Sequence, residues 1–239
     1  PQLAEESAGS DVINDLFEGL YRLDEQGKPQ PAGAVSYQVD ASGTVYTFAL
    51  RPDAKWSNGE PVTAADYVYG WQRAADPKTA SNYAWFIELM GLKNAGEVTR
   101  GKLPPSELGV KAIDEHTLQV TLAKPVSFFL KTLAHYTTFP APKATIERYG
   151  QEWVKPGHIV SNGAFVLTDW TPNERLIAVR NTHYWDQAHT RLSKVIYLEI
   201  VSDTAAYNRY RANEVHYTPY PLDQYAAIKN STPNELISV

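Results

Sequence analysis

The 239 residues include 22 Lys and Arg against 27 Asp and Glu, a formal net charge of −5, with 43% apolar and 21% charged residues. That balance describes a globular chain long enough to bury a core in one or two domains. The basic residues are scattered rather than gathered into the stripe that nucleic acid demands, and the apolar runs are far shorter than a membrane span requires. With no Cys there is neither disulfide nor thiol chemistry. Tyr reaches 15 and Trp 6, residue types that serve binding clefts as well as cores. No leader-like segment opens the chain and Pro1 is not an initiator residue, so the numbering is expected to begin after processing or partway into a longer protein.

Ser10 is placed to cap a helix carrying Val12, Ile13, Leu16, Phe17 and Leu20 on one side, with Gly19 near its end. Turn signals follow at 24–27 and 29–31. Ser36 to Asp40 and Thr44 to Leu50 predict a hairpin, since Tyr46, Phe48 and Leu50 alternate with Val45, Thr47 and Ala49. Ser57, Asn58 and Gly59 supply a turn, Gly59 tolerating positive φ. Thr63 stands three residues before Asp66, a helix-start signature, and Tyr67, Val68, Trp71 and Ala75 share one face of the helix that follows. Trp56 and Trp71 are expected in the core. A short helix is expected from Tyr83 to Leu89, then loops marked by Gly91, Gly96, Gly101, Pro104 and Pro105. Leu108 to Ile113 and His116 to Leu122 predict a second hairpin turning at Asp114 and Glu115. Val126 to Leu133 reads as helical.

Pro140, Ala141 and Pro142 read as a linker, because Pro fits the interior of neither regular element. Beyond it come a helix from Ala144 to Tyr149 ended by Gly150, and a third hairpin of Ala164 to Trp170 with Arg175 to Arg180. A strand from Lys194 to Ile200 puts Ile196, Leu198 and Ile200 on one face. The chain is then expected to form a helix over Thr204 to Ala212, a short strand over Glu214 to Tyr217, a helix over Pro221 to Lys229, and the start of a strand at Leu236 to Val239. Mixed helices, hairpins and crossover strands place the fold in the α/β or α+β class.

Local motifs argue against a reaction. Gly96 to Lys102 begins like a phosphate loop, but Leu103 stands where Ser or Thr is needed and Pro104 and Pro105 block the helix that would hold the phosphate. It is expected to be a surface loop. The six His residues, His116, His135, His158, His183, His189 and His216, show no metal-ligand spacing. No Gly-x-Ser-x-Gly elbow is present. Asp114 and Glu115 are adjacent carboxylates at an expected turn, and adjacency is no guide to a glycosidase pair.

The run from Phe48 to Val68, FALRPDAKWSNGEPVTAADYV, is the most informative stretch. It resembles the signature of the solute-binding proteins that capture peptides for ABC importers of the bacterial cell envelope, which reads F-x-L-R-x-x-A-K-W-S-D/N-G-x-P-V-T-A-x-D-F/Y-V. Further similarity lies in DLFEGL (15–20), WQR (71–73), DPKTAS (76–81), LGVKAID (108–114), HTLQVTL (116–122), NGA (162–164) and NRYR (208–211). The resemblance is to the oligopeptide-binding and murein-peptide-binding members, whose chains are about twice as long, so the sequence is expected to be their N-terminal half.

The resemblance implies part of a two-lobed periplasmic-binding-protein-like α/β fold. Residues 1–19 and 143–239 would form an incomplete first lobe, 20–142 a smaller second domain, and the opposing lobe would lie outside the chain. It also implies an extracytoplasmic receptor, periplasmic or a cell-surface lipoprotein, that captures a peptide and delivers it to an ABC permease. No cofactor, metal or catalytic residue is implied. The full-length receptor would be monomeric and the half alone prone to self-association.

Three positions here align with the family's cleft: Glu5 and Ser7 before the first helix, and Tyr83, where the family carries a ligand-facing Tyr. At Thr218 to Pro221 the sequence departs from an Asn-containing stretch that bonds the ligand backbone; Pro219 and Pro221 have no amide hydrogen, leaving Tyr220 as the candidate. Alternatives stay open at this point: a receptor for a murein peptide, sugar oligomer, haem or metal chelate, a carboxylate-dependent hydrolase, or a chaperone-like binder of unfolded chains.

Overall fold

The computed structural model describes residues 1–4 and 7–237, and for Ser7 and Ala8 the backbone alone. In chain order the elements are helix α1 (Ser7–Leu16), strands β1 (Tyr21–Leu23), β2 (Pro29–Pro31), β3 (Ala34–Val39) and β4 (Val45–Leu50), and helices α2 (Ala64–Ala75), α3 (Ala84–Leu89) and α4 (Ala95–Thr99). Strands β5 (Val110–Asp114) and β6 (Thr117–Thr121) precede helices α5 (Phe129–Thr132) and α6 (Lys143–Tyr149). Strands β7 (Phe165–Thr171), β8 (Arg175–Arg180) and β9 (Lys194–Leu198) and helices α7 (Asp203–Arg211) and α8 (Tyr225–Ser231) complete the list. The class is mixed α/β, as expected.

The central sheet is antiparallel with strand order β3-β4-β6-β5. Its register sets Phe48 opposite Leu118 and Tyr46 opposite Val120. The period-2 alternation therefore sends Phe48, Leu118 and Val120 into the core, where all three are fully buried. Helix α2 packs across β5 and β6. Its start is fixed as the spacing predicts: Asp66 Oδ2 accepts from the Thr63 amide at 2.8 Å and from the Thr63 hydroxyl at 3.2 Å. Trp56 and Trp71 are buried, and the Trp71 indole donates to the Thr138 carbonyl at 2.6 Å. Gly59 closes its turn at φ +90°. The Pro140 to Pro142 stretch is buried, and the Ala141 amide donates to the Asp66 carbonyl of α2 at 3.1 Å.

The chain separates into two compact units, Pro1–Trp170 with Ile177–Val195, and Thr171–Leu176 with Ile196–Val239. Within the first, DLFEGL and NGA interlock. Asn162 Nδ2 donates to the Glu18 carbonyl at 2.8 Å, the Glu18 amide donates to Asn162 Oδ1 at 3.2 Å, and the Gly163 amide donates to the Leu16 carbonyl at 2.9 Å. A Cβ on Gly163 would lie 2.6 Å from the Leu16 carbonyl carbon, so a larger residue cannot replace it without moving backbone. Asn181 extends the lock, donating to the Gly163 carbonyl at 2.9 Å.

Glu18 is 8% exposed, and its side chain accepts from the Tyr184 hydroxyl at 2.8 Å and the Trp185 indole at 2.6 Å. Arg22 stands 4.0 Å from it, and the Arg51 guanidinium lies 3.4 Å over the Trp185 ring. Burial pushes the Glu18 carboxyl above its ordinary value against these partners. In the second unit, Ser202 caps α7 by accepting from the Ala205 amide at 3.3 Å, and Ala206 and Ile228 are the buried apolar side chains of α7 and α8.

Several elements differ from expectation. Helix α1 starts at Ser7, so Ser10 lies inside it rather than capping it. Helix α5 keeps only the last part of the expected Val126 to Leu133 span. Gly96 lies in α4 rather than in a loop, and Gly101 follows the helix at φ +70°. The short strand expected over Glu214 to Tyr217 is replaced by a helix end. Asn213 takes φ +60°, its amide donates to the Tyr210 carbonyl at 2.9 Å, and the Glu214 amide is spent on the Arg209 carbonyl at 2.9 Å. Ile196 and Leu198 of β9 are exposed. Leu236 and Ile237 belong to no strand, and the rest of that expected strand lies outside the described residues.

Replacing Glu18 with Ala is expected to destabilise the first unit by about 2–4 kcal/mol, because two donors lose their common buried acceptor. Glu18→Gln keeps the volume and one acceptor and is expected to cost less. Urea unfolding of the three proteins checks both the size and the order of the effects.

Candidate functional site

Turn chemistry positions Tyr83. Asp76 accepts from the Lys78 amide at 2.9 Å, Ala80 then takes the left-handed conformation at φ +52°, and the chain enters α3 with Tyr83 as the residue before its first turn. Buried Ser81 fixes the entry: its hydroxyl donates to the Gln2 carbonyl at 2.5 Å and accepts from the Tyr83 amide at 3.2 Å. The segment before α1 is thereby tied to the start of α3. Gln2 Nε2 also donates to the Phe139 carbonyl at 3.1 Å.

Around Tyr83 the rings form a wall. Its centroid lies 5.3 Å from His135, 5.6 Å from Tyr136 in an edge contact, and 5.8 Å from Trp85. His135 stacks between Phe86 and Tyr136 at 4.2 Å from each. The Tyr136 hydroxyl donates to the Ala4 carbonyl at 3.4 Å. Tyr136 is placed by the same turn whose carbonyl at Thr138 receives the Trp71 indole, so the core helix α2 holds the wall.

The wall is uncharged near neutral pH. Burial lowers the His135 imidazole from 6.5 to about 4, and its Nδ1 accepts from the Thr137 amide at 3.3 Å. Burial, with the hydrogen-bonded Tyr83 hydroxyl second, pushes the Tyr136 phenol above its ordinary value. A neutral surface rich in π faces can accept apolar and aromatic groups and offers carboxylates no counter-charge.

Of the expected site residues, Tyr83 is half-buried in this wall rather than enclosed by the core. The Ala4 carbonyl brings the segment preceding α1 to it; Glu5 lies outside the described residues, and Ser7 is described as the first residue of α1 without its side chain. Tyr220 belongs to the second unit, half-buried and stacked on Tyr225 at 5.6 Å. A cavity of about 740 Å³ in that unit is lined by Tyr207, Tyr210, His216, Ile228 and Glu235 among others, and Tyr220 is not one of them. Sequence reasoning missed Trp85 and Tyr136 and weighed His135 only as a metal ligand; the signal present was the high Tyr and Trp content. Among the described residues no cluster of three or more His, Asp or Glu is arranged to hold a metal ion, and no helix is long and apolar enough to cross a membrane.

The family described as "Bacterial extracellular solute-binding proteins, family 5 Middle" matches residues 28–237. The chain belongs to this family. It is 46% identical over 229 residues to the periplasmic oligopeptide-binding protein OppA of Escherichia coli, a match covering 95% of this chain and 42% of that protein. It is 45% identical over 236 residues to the probable deoxycholate-binding periplasmic protein YgiS of Escherichia coli, covering 99% and 44%. The solved structure of the Escherichia coli murein tripeptide-binding protein MppA superposes with a TM-score of 0.93 at 44% identity, covering 98% of this chain and 46% of that one. The chain thus spans less than half the length of these relatives and corresponds to part of their fold.

The His135 proton has a consequence for stability. The unfolded chain takes it up near pH 6.5 and the folded chain only near 4, so the contribution of the neutral ring is full above pH 6.5 and is lost as pH falls towards 4. An NMR titration of the imidazole is expected to give a midpoint near 4. A midpoint at the ordinary value would mean that the ring stands open to water.

Proposed function

We propose that these residues form part of an extracytoplasmic receptor that captures peptides and delivers them unchanged to an ABC permease. The observation that carries this reading is the agreement with OppA and MppA in sequence over nearly the whole chain and with MppA in fold at a TM-score of 0.93. In this reading residues 1–19 and 143–239 belong to one lobe, 20–142 to a smaller domain, and residues beyond these 239 supply the opposing lobe. Glu5, Ser7, Tyr83 and Tyr220 are the candidate ligand-binding residues on the family resemblance. The receptor is periplasmic or a cell-surface lipoprotein, and monomeric at full length.

Capture needs no bond-making. An extended peptide pairs its main chain as an added strand does, which gives affinity without demanding a particular side chain. Waters bridge what direct contacts miss, and closure of the lobes buries the ligand by a hinge motion. The His135 wall supplies an uncharged surface against which part of the ligand can be desolvated.

A second reading, a receptor for an amphipathic sterol acid, is favoured by the 45% identity to YgiS, named as a probable deoxycholate-binding protein, and by the same neutral wall, which suits the apolar face of such a ligand though not its carboxylate. Titration calorimetry separates the two, using a receptor of the relatives' length that carries these residues, tri- to pentapeptides, and deoxycholate. Micromolar or tighter binding of peptides, recovered intact afterwards, is expected; binding of deoxycholate alone would overturn the peptide reading, and peptide cleaved during incubation would overturn the receptor reading. The 239-residue chain alone is expected to bind at least ten- to a hundred-fold more weakly, because the opposing lobe is missing and each charge-assisted hydrogen bond it would make to the peptide is worth ~1.5–3 kcal/mol.

A further inference from the structure

Resting on the peptide reading above, we propose that Trp85 is the specificity-determining residue of the wall, stacking on an aromatic side chain of the bound peptide. The rings are graded from core to solvent. Phe86 and Ile87 turn inward and are buried, His135 and Tyr83 are half-buried, and Trp85 is 55% exposed. Tyr83 is covered by ring contacts from Trp85, His135 and Tyr136. It therefore backs the wall, and Trp85 presents it.

The indole is held in place without being buried. Tyr83 lies 5.8 Å from it at 31°, and Phe86 meets it edge-on at 5.8 Å and 75°. A ring pinned in this way has already lost much of the freedom that binding would otherwise take from it. Leu89, one turn further along α3 and 46% exposed, continues the apolar strip.

Charge around Trp85 is neutralised. Glu88 is engaged by the Thr99 hydroxyl and by Arg100 at 3.5 Å, and His135 remains neutral near pH 7. A charged ligand side chain placed here would lose hydration with no counter-charge to replace it. A methyl group would cover little of the indole, whereas an aromatic ring gains both apolar area and the offset contact between π faces. The ligand class selected is a peptide with Phe, Tyr or Trp at the position that meets α3.

The test uses a receptor of the relatives' length carrying these residues, as wild type, Trp85→Ala and Trp85→Phe, titrated with trialanine and with the three tripeptides in which one Ala is replaced by Phe. Wild type is expected to bind one Phe peptide roughly tenfold more tightly than trialanine. Trp85→Ala should erase that preference, weakening the Phe peptide about tenfold more than it weakens trialanine, and Trp85→Phe should retain most of it. A preference unchanged by Trp85→Ala would overturn the proposal and leave the peptide reading intact. Equal weakening of all four peptides would also overturn it, marking Trp85 as a contact of the fold. No binding of any tripeptide would overturn this proposal, and no binding of the tetra- and pentapeptides either would remove the peptide reading with it.

Discussion

A carboxylate withdrawn from water at Glu18 is the constraint on which the first unit depends. Buried, it is tolerable only because Tyr184 and Trp185 donate to it and Arg22 and Arg51 lie close by. Those donors sit on a loop far along the chain, so satisfying the buried carboxyl fixes where the chain leaves α1 relative to the loop at 181–186. The reciprocal amide bonds between Asn162 and the Glu18 backbone add a second, geometric tie at the same place. Three stretches distant in sequence are thereby held at one point, and Gly163 allows the backbones to approach.

The aromatic wall uses the rest of that frame. Helix α2 packs across the central sheet and buries Tyr67 and Trp71. The Trp71 indole reaches past the helix to the Thr138 carbonyl. That bond places the turn carrying His135 and Tyr136, and Tyr136 in turn reaches the Ala4 carbonyl. A wall of this kind is rigid where it is attached and open only at its outer ring, the combination that binding surfaces need if little ordering is to remain for the ligand.

Much of the frame was legible in the sequence. The alternation of Phe48, Leu118 and Val120 gave the sheet faces, Thr63 and Asp66 the start of α2, and Gly59 its turn, because each depends on neighbours within a few residues. The strand expected over 214–217 failed because Asn213 prefers the left-handed turn that ends α7, a local choice that outweighed the apolar pattern. Glu18 was opaque: a glutamate at a helix end is ordinarily solvated, and its partners Tyr184 and Trp185 are 166 and 167 residues away. The wall was opaque for the same reason. Tyr83 entered through family resemblance, whereas Trp85, His135 and Tyr136 join it only once α3 and the 135–138 turn have been packed together.

The central claim is that this fold serves a receptor that holds peptide and returns it unaltered. Native mass spectrometry of the receptor carrying these residues, purified from cells without refolding, tests it most directly. The account predicts a ladder of bound masses that, after release, sequence as intact short peptides. Protein that arrives with a single non-peptide mass, such as a sterol acid, would contradict it.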